Sequence, residues 1–260
     1  MYSLKVELLK KFYSTMDRTV MKLEAKDYGF DFLDTILNPI TGTQLDYAEI
    51  KGNIPKYKLS NLHPKVYDYF LKCHIEQSCN VCGYFDKLQN NVFVFNIDGT
   101  EKKEGDELAE DVKVAGGIIT KYLRKVNIEP LVVLSGRGYH LWCRMTEPVD
   151  NEVLADFILR VIVRTLATME NSGFDKKKVN ISKYPHDNEQ QNCSLRLFGS
   201  KHVKNQVFSH IFHPTQGALS EADSWAYFKE HMDNQSITPE HLTDAMEKLK
   251  GTYFEVERRA

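Results

Sequence analysis

The sequence predicts a mixed α/β fold of the α+β kind, with sheets that form a core between helices. Residues 91–99 contain alternating aromatic and β-branched residues, which is typical of a strand. Two further apolar runs, residues 131–134 and 139–143, flank a Ser-Gly-Arg-Gly turn and predict a pair of strands. Between these strands, residues 108–125 have helical spacing, so that strand, helix and strand follow one another.

The chain divides by pattern into three regions. Residues 1–90 mix helix and loop signals and predict an accessory region that packs on the core. Residues 91–215 hold the predicted core, and residues 216–260 form a helical segment. Apolar spacing from Leu4 to Met16, and Pro64 in a first turn, predict helices in the accessory region. We therefore expect helical appendages at both ends of the core.

In the core, residues 150–169 predict a long apolar helix. Two helices should follow in the C-terminal segment. Ser220 is placed as a cap ahead of Glu221, and Pro239 follows Thr238 at the start of the last helix.

Composition bounds the class of protein. The 260 residues are 42% hydrophobic and 27% charged, which is ordinary for a globular protein with a large core. The formal net charge of -2 gives no overall basic field, so a site for a polyanion must be a local patch. No apolar run approaches the roughly 20 residues of a membrane span. We expect a cytoplasmic protein without a membrane partner.

Cysteines are too few for a disulfide scaffold, at five in a chain of this length. Cys79 and Cys82 form a Cys-x-x-Cys pair, with Cys73 nearby. Zinc needs four converging donors, so the pair is half a site, and structural zinc is possible but less favoured than reduced, partly buried thiols. A redox role is weaker still, because no strand-turn-helix pattern surrounds the pair.

The turn between the two apolar runs has the composition of an anion-binding loop. Gly136 and Gly138 allow the backbone to approach a ligand, Arg137 supplies a forked donor, and Ser135 supplies a hydroxyl. His140 adds an imidazole, and alternation places it on the opposite face from its two neighbours. The alternative is an ordinary hairpin turn with a half-buried histidine.

Asn96 and Asp98 lie two residues apart on the predicted strand 91–99 and therefore project from the same face. This spacing can present paired ligands to a metal ion. The alternative is a strand end at which Asp98 and Gly99 form a turn.

Two later stretches add cationic side chains. The charge run at residues 175–178 is followed by a strand-like run at 179–184, and residues 194–202 end in a Gly-Ser turn flanked by cations. Exposed lysine runs are usually only solvated, but they can also neutralise phosphates. The candidates for phosphate or template contact in these stretches are Lys176, Lys177, Lys178, Lys183, Tyr184, Arg196, Ser200, Lys201 and His202.

Taken in order, three segments resemble the archaeo-eukaryotic primase superfamily, and within it the primase-polymerases. They are residues 95–98, residues 135–140, and residues 179–184 continuing to the Arg-Leu-Phe-Gly-Ser turn at 196–200. The resemblance covers roughly residues 90 to 205. Each segment alone is weak, whereas the ordered set is fairly specific. Within the family, we expect the variant that is associated with CRISPR systems or other mobile elements.

The resemblance implies a DNA primase-polymerase that makes primers de novo on a single-stranded DNA template by nucleotidyl transfer with two Mg²⁺ or Mn²⁺ ions. Positions 96, 98 and 180 would carry the metal-binding carboxylates. Ser135, Arg137, Gly138 and His140 would hold the triphosphate of the incoming nucleotide. Arg196, Ser200, Lys201 and His202 would bind triphosphate or the initiating nucleotide. The protein would act as a monomer or as part of a longer multidomain chain, with a primer strand as a further partner.

The chain departs from the family at the metal positions. Asn96 and Asn180 stand where carboxylates are expected, which leaves Asp98 as the single acid. Asparagine keeps the shape of aspartate but loses most of its attraction for a hard cation. Our preferred account is an engineered, catalytically silenced form, and the alternative is a naturally degenerate domain.

Rival functions follow from the same residues. The runner-up is a non-catalytic nucleotide-binding or sensor module of the same fold. A zinc-stabilised nucleic-acid-binding protein is third and would need the three cysteines to carry metal. A GTPase or a kinase-like NTPase is disfavoured, since the sequence has no Gly-x-x-x-x-Gly-Lys-[Ser/Thr] motif.

Overall fold

A computed structural model describes residues 2–25, 42–51, 54–100, 108–186, 194–203, 206–234 and 237–250. It confirms the mixed α/β class. In chain order the elements are α1 (Tyr2–Phe12), β1 (Asp17–Ala25), β2 (Gln44–Lys51), β3 (Ile54–Ser60), α2 (Pro64–Ile75), β4 (Cys79–Tyr84), β5 (Gln89–Gly99), α3 (Glu110–Lys125), β6 (Leu131–Leu134), β7 (Gly138–Asp150), α4 (Asn151–Asn171), a 3₁₀ turn (Lys176–Lys178), β8 (Val179–Tyr184), β9 (Ser194–Arg196), β10 (Phe212–His213), β11 (Gly217–Ala218), α5 (Glu221–Asn234) and α6 (Pro239–Leu249).

The chain forms two compact units. The first unit comprises Met1–Asp86 together with Gln190–Ser209, and the second comprises Lys87–Glu189 together with His210–Ala260. The segment that contains β9 therefore belongs to the first unit, although it lies far along the chain.

The first unit contains an antiparallel sheet of five strands in the order β2-β3-β1-β4-β9. Met21 and Leu23 of β1 are buried, whereas Lys22 and Glu24, which alternate with them along the strand, are only half-buried. Helix α2 lies against β1 and β4 and buries Phe70. The apolar face of the sheet thus belongs to the core of this unit.

The first four strands were not predicted, and they lie in the region for which we expected helices and loops. The signal for two of them is the alternation of apolar residues with charged ones, as in Met21, Lys22, Leu23 and Glu24. We missed it because the runs are short and their charged positions resemble a loop composition.

The second unit contains an antiparallel sheet of four strands in the order β6-β7-β5-β8. One face of this sheet carries Phe93, Phe95, Ile97 and Leu141, all fully buried in a core with residues of α3 and α4. The opposite face carries the fully buried pair Val94 and Trp142 and, next to them, polar side chains such as Asn96 and Asp98, because side chains alternate along each strand. We call the part around Asn96 and Asp98 the polar face.

The predicted helices are confirmed. Pro64 begins α2, and Ser220 precedes α5 with its hydroxyl accepting a 3.1 Å hydrogen bond from the Asp223 amide. Thr238 caps α6 by accepting from the His241 amide at 3.1 Å. None of the helices that the structure describes combines the length and the apolar character needed to cross a bilayer.

Candidate functional site

The polar face of the four-stranded sheet brings most of the predicted metal and nucleotide residues of the second unit together. On β5, Asn96 pairs with His140 of β7 on one side and with Ser182 of β8 on the other. One step along, Asp98 pairs with Gly138 on β7 and with Asn180 on β8. Directly opposed residues of a sheet project from the same face, so that two rows of polar side chains lie side by side.

The apolar pattern of the sequence fixes this arrangement. Ile97 pairs with Tyr139 and with Ile181, and all three lie on the face that belongs to the helical core. A slip of one residue would send these apolar side chains to the polar face, which makes the register costly to change. The core therefore holds Asn96 and Asp98 on the outward face.

Asn96 and Asp98 are in contact. The Asn96 Nδ2 donates to Asp98 Oδ2 at 3.3 Å. The buried Oδ1 of Asn96 finds no hydrogen-bond partner among the residues that the structure describes. An amide oxygen left in this way on a sheet face is available to a ligand that can donate a proton or supply positive charge.

Arg137 supplies the positive charge nearest to this pair. Its terminal nitrogen lies 3.9 Å from Asp98 Oδ2, with the Arg137 side chain 61% exposed and the Asp98 side chain 21% exposed. Such a long, solvated pair contributes little stability. The guanidinium can therefore turn toward an anion at small cost.

The loop between β6 and β7, for which we predict anion binding, is tight. The Ser135 amide donates to the Gly138 carbonyl at 2.9 Å, and Gly136 has a φ of 97°. A Cβ on Gly138 would collide with the main-chain carbonyl of Ile97. Glycine at 138 is thus required by the close approach of β7 to β5 beside Asp98.

The side chains on this face do not fit a site for two divalent cations. Hard cations are held by several carboxylate or carbonyl oxygens, and here two amides accompany one carboxylate. Within the described residues, no group of three or more His, Cys, Asp or Glu side chains is placed to hold a metal ion. The residues present therefore do not support the two-metal reaction that the sequence resemblance implies.

The predicted basic group of residues 196–202 belongs to the first unit, whereas the residues described so far in this site belong to the second. Arg196 of β9 pairs with Cys82 of β4. Ser200 is fully buried and donates to Asn80 Oδ1 at 2.7 Å, while Lys201 forms a β-bridge with Phe208. Ser200 thus has a structural partner of its own.

His202 belongs to the same group. Its amide donates to the Val207 carbonyl at 2.8 Å, which closes a short turn.

The predicted template residues are divided. Lys176 is ion-paired with Glu170 at 2.6 Å, and the lysine turn is exposed. On β8, Tyr184 pairs with Val94 and lies on the polar face, whereas Lys183 pairs with Phe95 and lies on the other. Only Tyr184 of these residues shares the face of Asp98.

The predicted cysteine cluster lies on α2 and β4. Cys79 and Cys82 are three residues apart on one strand and therefore point to opposite faces. A hydrogen bond with Cys79 lowers the pKa of Cys73, with burial acting against it. The Cys-x-x-Cys pair thus cannot close on one metal ion from this strand.

Sequence reasoning missed Ser182, which stands in the same row as Asn96 and His140. The signal was present, because Ser182 follows Asn180 by two residues on a predicted strand.

No family model matches the sequence, and no curated protein matches it. Among solved structures, the chain is similar to the polymerase domain of Mycobacterium tuberculosis ligase D in complex with DNA. That match has 14% identity and a TM-score of 0.44, and it covers 95% of this chain and 89% of that one. The primase-polymerase AEP domain of cyanophage S-2L matches at 14% identity and a TM-score of 0.39, over 86% of this chain and 96% of that one.

Both TM-scores lie below 0.5, so we base the function on the sequence segments and on the sheet register.

Proposed function

We propose that the polar face of the four-stranded sheet is a nucleotidyl-transfer site of the primase-polymerase type, silenced in this chain by Asn96 and Asn180. The register that aligns Asn96, Asp98, His140 and Asn180 on one face is the observation that carries the proposal. Three segments far apart in the chain supply these residues, and the order of the segments is that of the family they resemble.

The incoming nucleotide would place its triphosphate at the loop between β6 and β7. Arg137 would leave Asp98 for the phosphate oxygens, because a guanidinium binds phosphate through two parallel hydrogen bonds. His140 and Ser135 would hold the same group from the strand ends. These side chains position the α-phosphorus and balance charge, which is the main task in phosphoryl and nucleotidyl transfer.

In the active form of such a site, the 3′ hydroxyl of a primer attacks the α-phosphorus and pyrophosphate leaves. Carboxylates at positions 96, 98 and 180 would hold divalent ions, Mn²⁺ or Mg²⁺, which would supply charge stabilisation in that reaction. This chain has one of the three carboxylates that would hold them. We therefore expect it to bind nucleotide and to transfer it slowly or not at all.

Arg196, Lys201 and His202 are proposed to contact the triphosphate or the initiating nucleotide. Ser200 would act differently, by holding Asn80 through its hydroxyl. Single-stranded DNA would contact Tyr184 by stacking, with the lysines at 176–178 and Lys183 as weaker, electrostatic contributors. An association with CRISPR systems or other mobile elements remains a prediction of the resemblance.

A second candidate function is a nucleotide sensor that never transfers. The contact between Asn96 and Asp98 favours it, since the amide satisfies the carboxylate without a cation. Both functions require nucleotide binding at Arg137 and His140. They differ in what happens when the carboxylates are restored.

The test compares the chain with the double variant Asn96→Asp, Asn180→Asp on a single-stranded DNA template with Mn²⁺ and labelled nucleotide. We expect primer synthesis only from the double variant, at a rate at least about 100-fold above the parent, since metal sites contribute several kcal/mol to such reactions. The matched control adds Asp98→Asn to the double variant and should abolish synthesis again.

Binding of labelled nucleotide to each variant completes the experiment. A double variant that binds nucleotide and never extends would support the sensor. Loss of nucleotide binding in Arg137→Ala is expected for both functions, and its absence would contradict both.

A further inference from the structure

A cavity of about 660 Å³ lies in the second unit, on the side of the four-stranded sheet that carries α3. Tyr139 and Val132 line it, and both belong to the core side of the sheet. His140, the next residue along β7, points to the opposite face. The cavity has the size of a small-molecule site, and the proposed transfer site does not use it.

Helix α3 forms one wall of the cavity with an open stretch of backbone. Gly117 lies four residues after Lys113 and four before Lys121, so that these three residues form one stripe on the helix. A Cβ on Gly117 would meet nothing within 4 Å, whereas one on Gly116 would lie 3.1 Å from the Tyr139 ring. Packing thus explains the glycine at 116 but not the one at 117.

Glycine within a helix costs about 1 kcal/mol relative to alanine. At position 117 no side chain fills the space beside the helix, so the helix backbone is exposed to the cavity. A ligand that lies flat on the helix would use such a surface.

Two aromatic rings also line the cavity. Tyr139 and Phe212 are arranged edge to face with ring centroids 6.0 Å apart. Phe212 is 37% exposed although it is a large apolar side chain. Two rings in this arrangement offer both a face and an edge to a flat ligand ring.

The charged residues that line the cavity are all cationic, namely Lys113, Lys121 and Arg124, in a chain whose net charge is -2. Arg124 is held by Glu129 through bonds of 2.7 and 2.5 Å. The two lysines are eight residues apart, which is about 12 Å along a helix. Lys113 lies 3.9 Å from Glu110 in an exposed pair, which contributes little. The lysines are therefore the groups that an anionic ligand would meet.

We propose that this cavity is a second nucleotide site, which binds a planar base against α3 and the two aromatic rings and a phosphate group at the lysines. The aromatic side chains and open helix backbone select a flat ring, and the exclusively cationic lining selects an anion. A nucleoside diphosphate combines both features at the size of the cavity. This site lies across the sheet from the proposed transfer site and does not depend on it.

The test uses the full chain and 8-azido-ADP as a photoactivated probe, followed by peptide mapping. We expect labelling of peptides that contain Phe212 or residues 113–124. The variant Gly117→Leu should remove this label, since its side chain enters the cavity. Gly117→Ala is the matched control, because one methyl group leaves most of the space open.

Both variants should fold, as each replaces a helical glycine at a position without neighbours. Thermal unfolding checks this directly. Independently, Lys121→Gln should weaken ADP binding about fivefold, the range of an exposed charge contact, while leaving the binding of adenosine unchanged.

Competition and the second site complete the design. ADP should displace the probe better than adenosine or inorganic pyrophosphate alone. Arg137→Ala removes the proposed transfer site and should leave the label at Phe212 intact. Label that persists in Gly117→Leu overturns the proposal while leaving the transfer site in place. Label that appears only on peptides containing residues 135–140 and disappears in Arg137→Ala overturns it as well. Full displacement by pyrophosphate at equal affinity would overturn the role of the ring.

Discussion

The two sheets of this protein each have an apolar and a polar face, but they satisfy their polar groups in different ways. On the five-stranded sheet, Glu24 lies 3.1 Å from Lys56 and 3.8 Å from Lys22, and Lys58 lies 3.6 Å from Asp46. The charges of that face thus match one another across strands. Such pairs help to fix the register of a sheet.

The four-stranded sheet lacks this matching. Its polar rows hold two amides, a histidine and the single carboxylate of Asp98, whose charged partner is Arg137 from a loop. The buried oxygen of Asn96 accepts no hydrogen bond from any described residue. The comparison teaches that the five-stranded sheet pairs its charges with each other, whereas the four-stranded sheet places one carboxylate beside neutral amides with its cationic partner on a loop. We call the latter the unmatched face.

The largest effect should come from Gly138→Ala, which breaks the backbone contact behind the unmatched face. The added Cβ collides with the Ile97 carbonyl, so β5 and β7 must separate. We expect a loss of about 3 kcal/mol or more in the free energy of unfolding, above the usual cost of overpacking because the neighbour is backbone. Urea denaturation measures it.

The control for that experiment is Gly117→Ala, at which no atom lies within 4 Å. It should stabilise the protein by about 0.5 to 1 kcal/mol. Equal unfolding free energies for the two variants would contradict the close approach of β7 to β5.

The next effect concerns His74, which joins α2 to the five-stranded sheet. Its Nδ1 accepts from the Val81 amide at 2.9 Å, and its Nε2 lies 3.1 Å from the Phe198 carbonyl. Complete burial lowers the pKa of His74 to about 4. The unfolded chain, with a histidine pKa of about 6.5, therefore binds the proton more readily than the folded one.

The stability from neutral His74 is complete above pH 6.5 and is lost as the pH falls toward 4. At pH 5 the loss should be about 2 kcal/mol relative to pH 7.5. The variant His74→Gln keeps one acceptor and one donor, and it should flatten this part of the pH dependence. If the parent and the variant lose the same unfolding free energy between these pH values, His74 does not contribute to the pH dependence of stability.

A smaller change in stability is expected for Asn96→Asp on the unmatched face, and it should depend on divalent cations. Asn96→Asp places a second carboxylate against Asp98, where the amide now donates at 3.3 Å. Like charges in contact disfavour ionisation, so the variant should lose about 1 kcal/mol without metal.

Addition of Mn²⁺ should restore the melting temperature of Asn96→Asp and leave that of the parent unchanged. Thermal unfolding with and without Mn²⁺ measures the difference. If Mn²⁺ raises the melting temperature of the parent as much as that of the variant, the ion binds at a site that does not depend on the new carboxylate.

The smallest effect should come from Glu24→Gln on the matched face. It removes the carboxylate between Lys22 and Lys56, both about one-fifth exposed. The cost of such a pair is about 0.5 to 1 kcal/mol, and it should shrink in high salt. Unfolding in 0.05 and 1 M NaCl tests both statements, and a cost that salt does not change would mean that Glu24 acts through packing.

Much of the second unit could be predicted from the sequence. Residues 91–99 alternate so regularly that Asn96 and Asp98 had to share a face. The order of the strands across the sheet could not be predicted, because the pairing of β5 with both β7 and β8 joins residues far apart in the chain. The row of Asn96, His140 and Ser182 emerges only from that pairing.

The first unit was harder to predict. Strands β1 and β3 carry a lysine or a glutamate at alternate positions, and the pairing of these two strands places Glu24 beside Lys56. The cavity beside Gly117 was also beyond prediction. A glycine pair in a helix reads as a weak point until the structure places an aromatic residue against one glycine and open space against the other.

The position of β9 has a consequence for biosynthesis. Its pairing with β4, through Cys82 and Arg196, completes a sheet whose other strands end at residue 84. During translation, more than a hundred residues must leave the ribosome before this partner arrives. Until then the outer edge of β4 presents unpaired main-chain groups, a template for wrong association. Fragments that stop before residue 194 should therefore aggregate on expression, and a stable short version of the first unit needs the late segment joined to it.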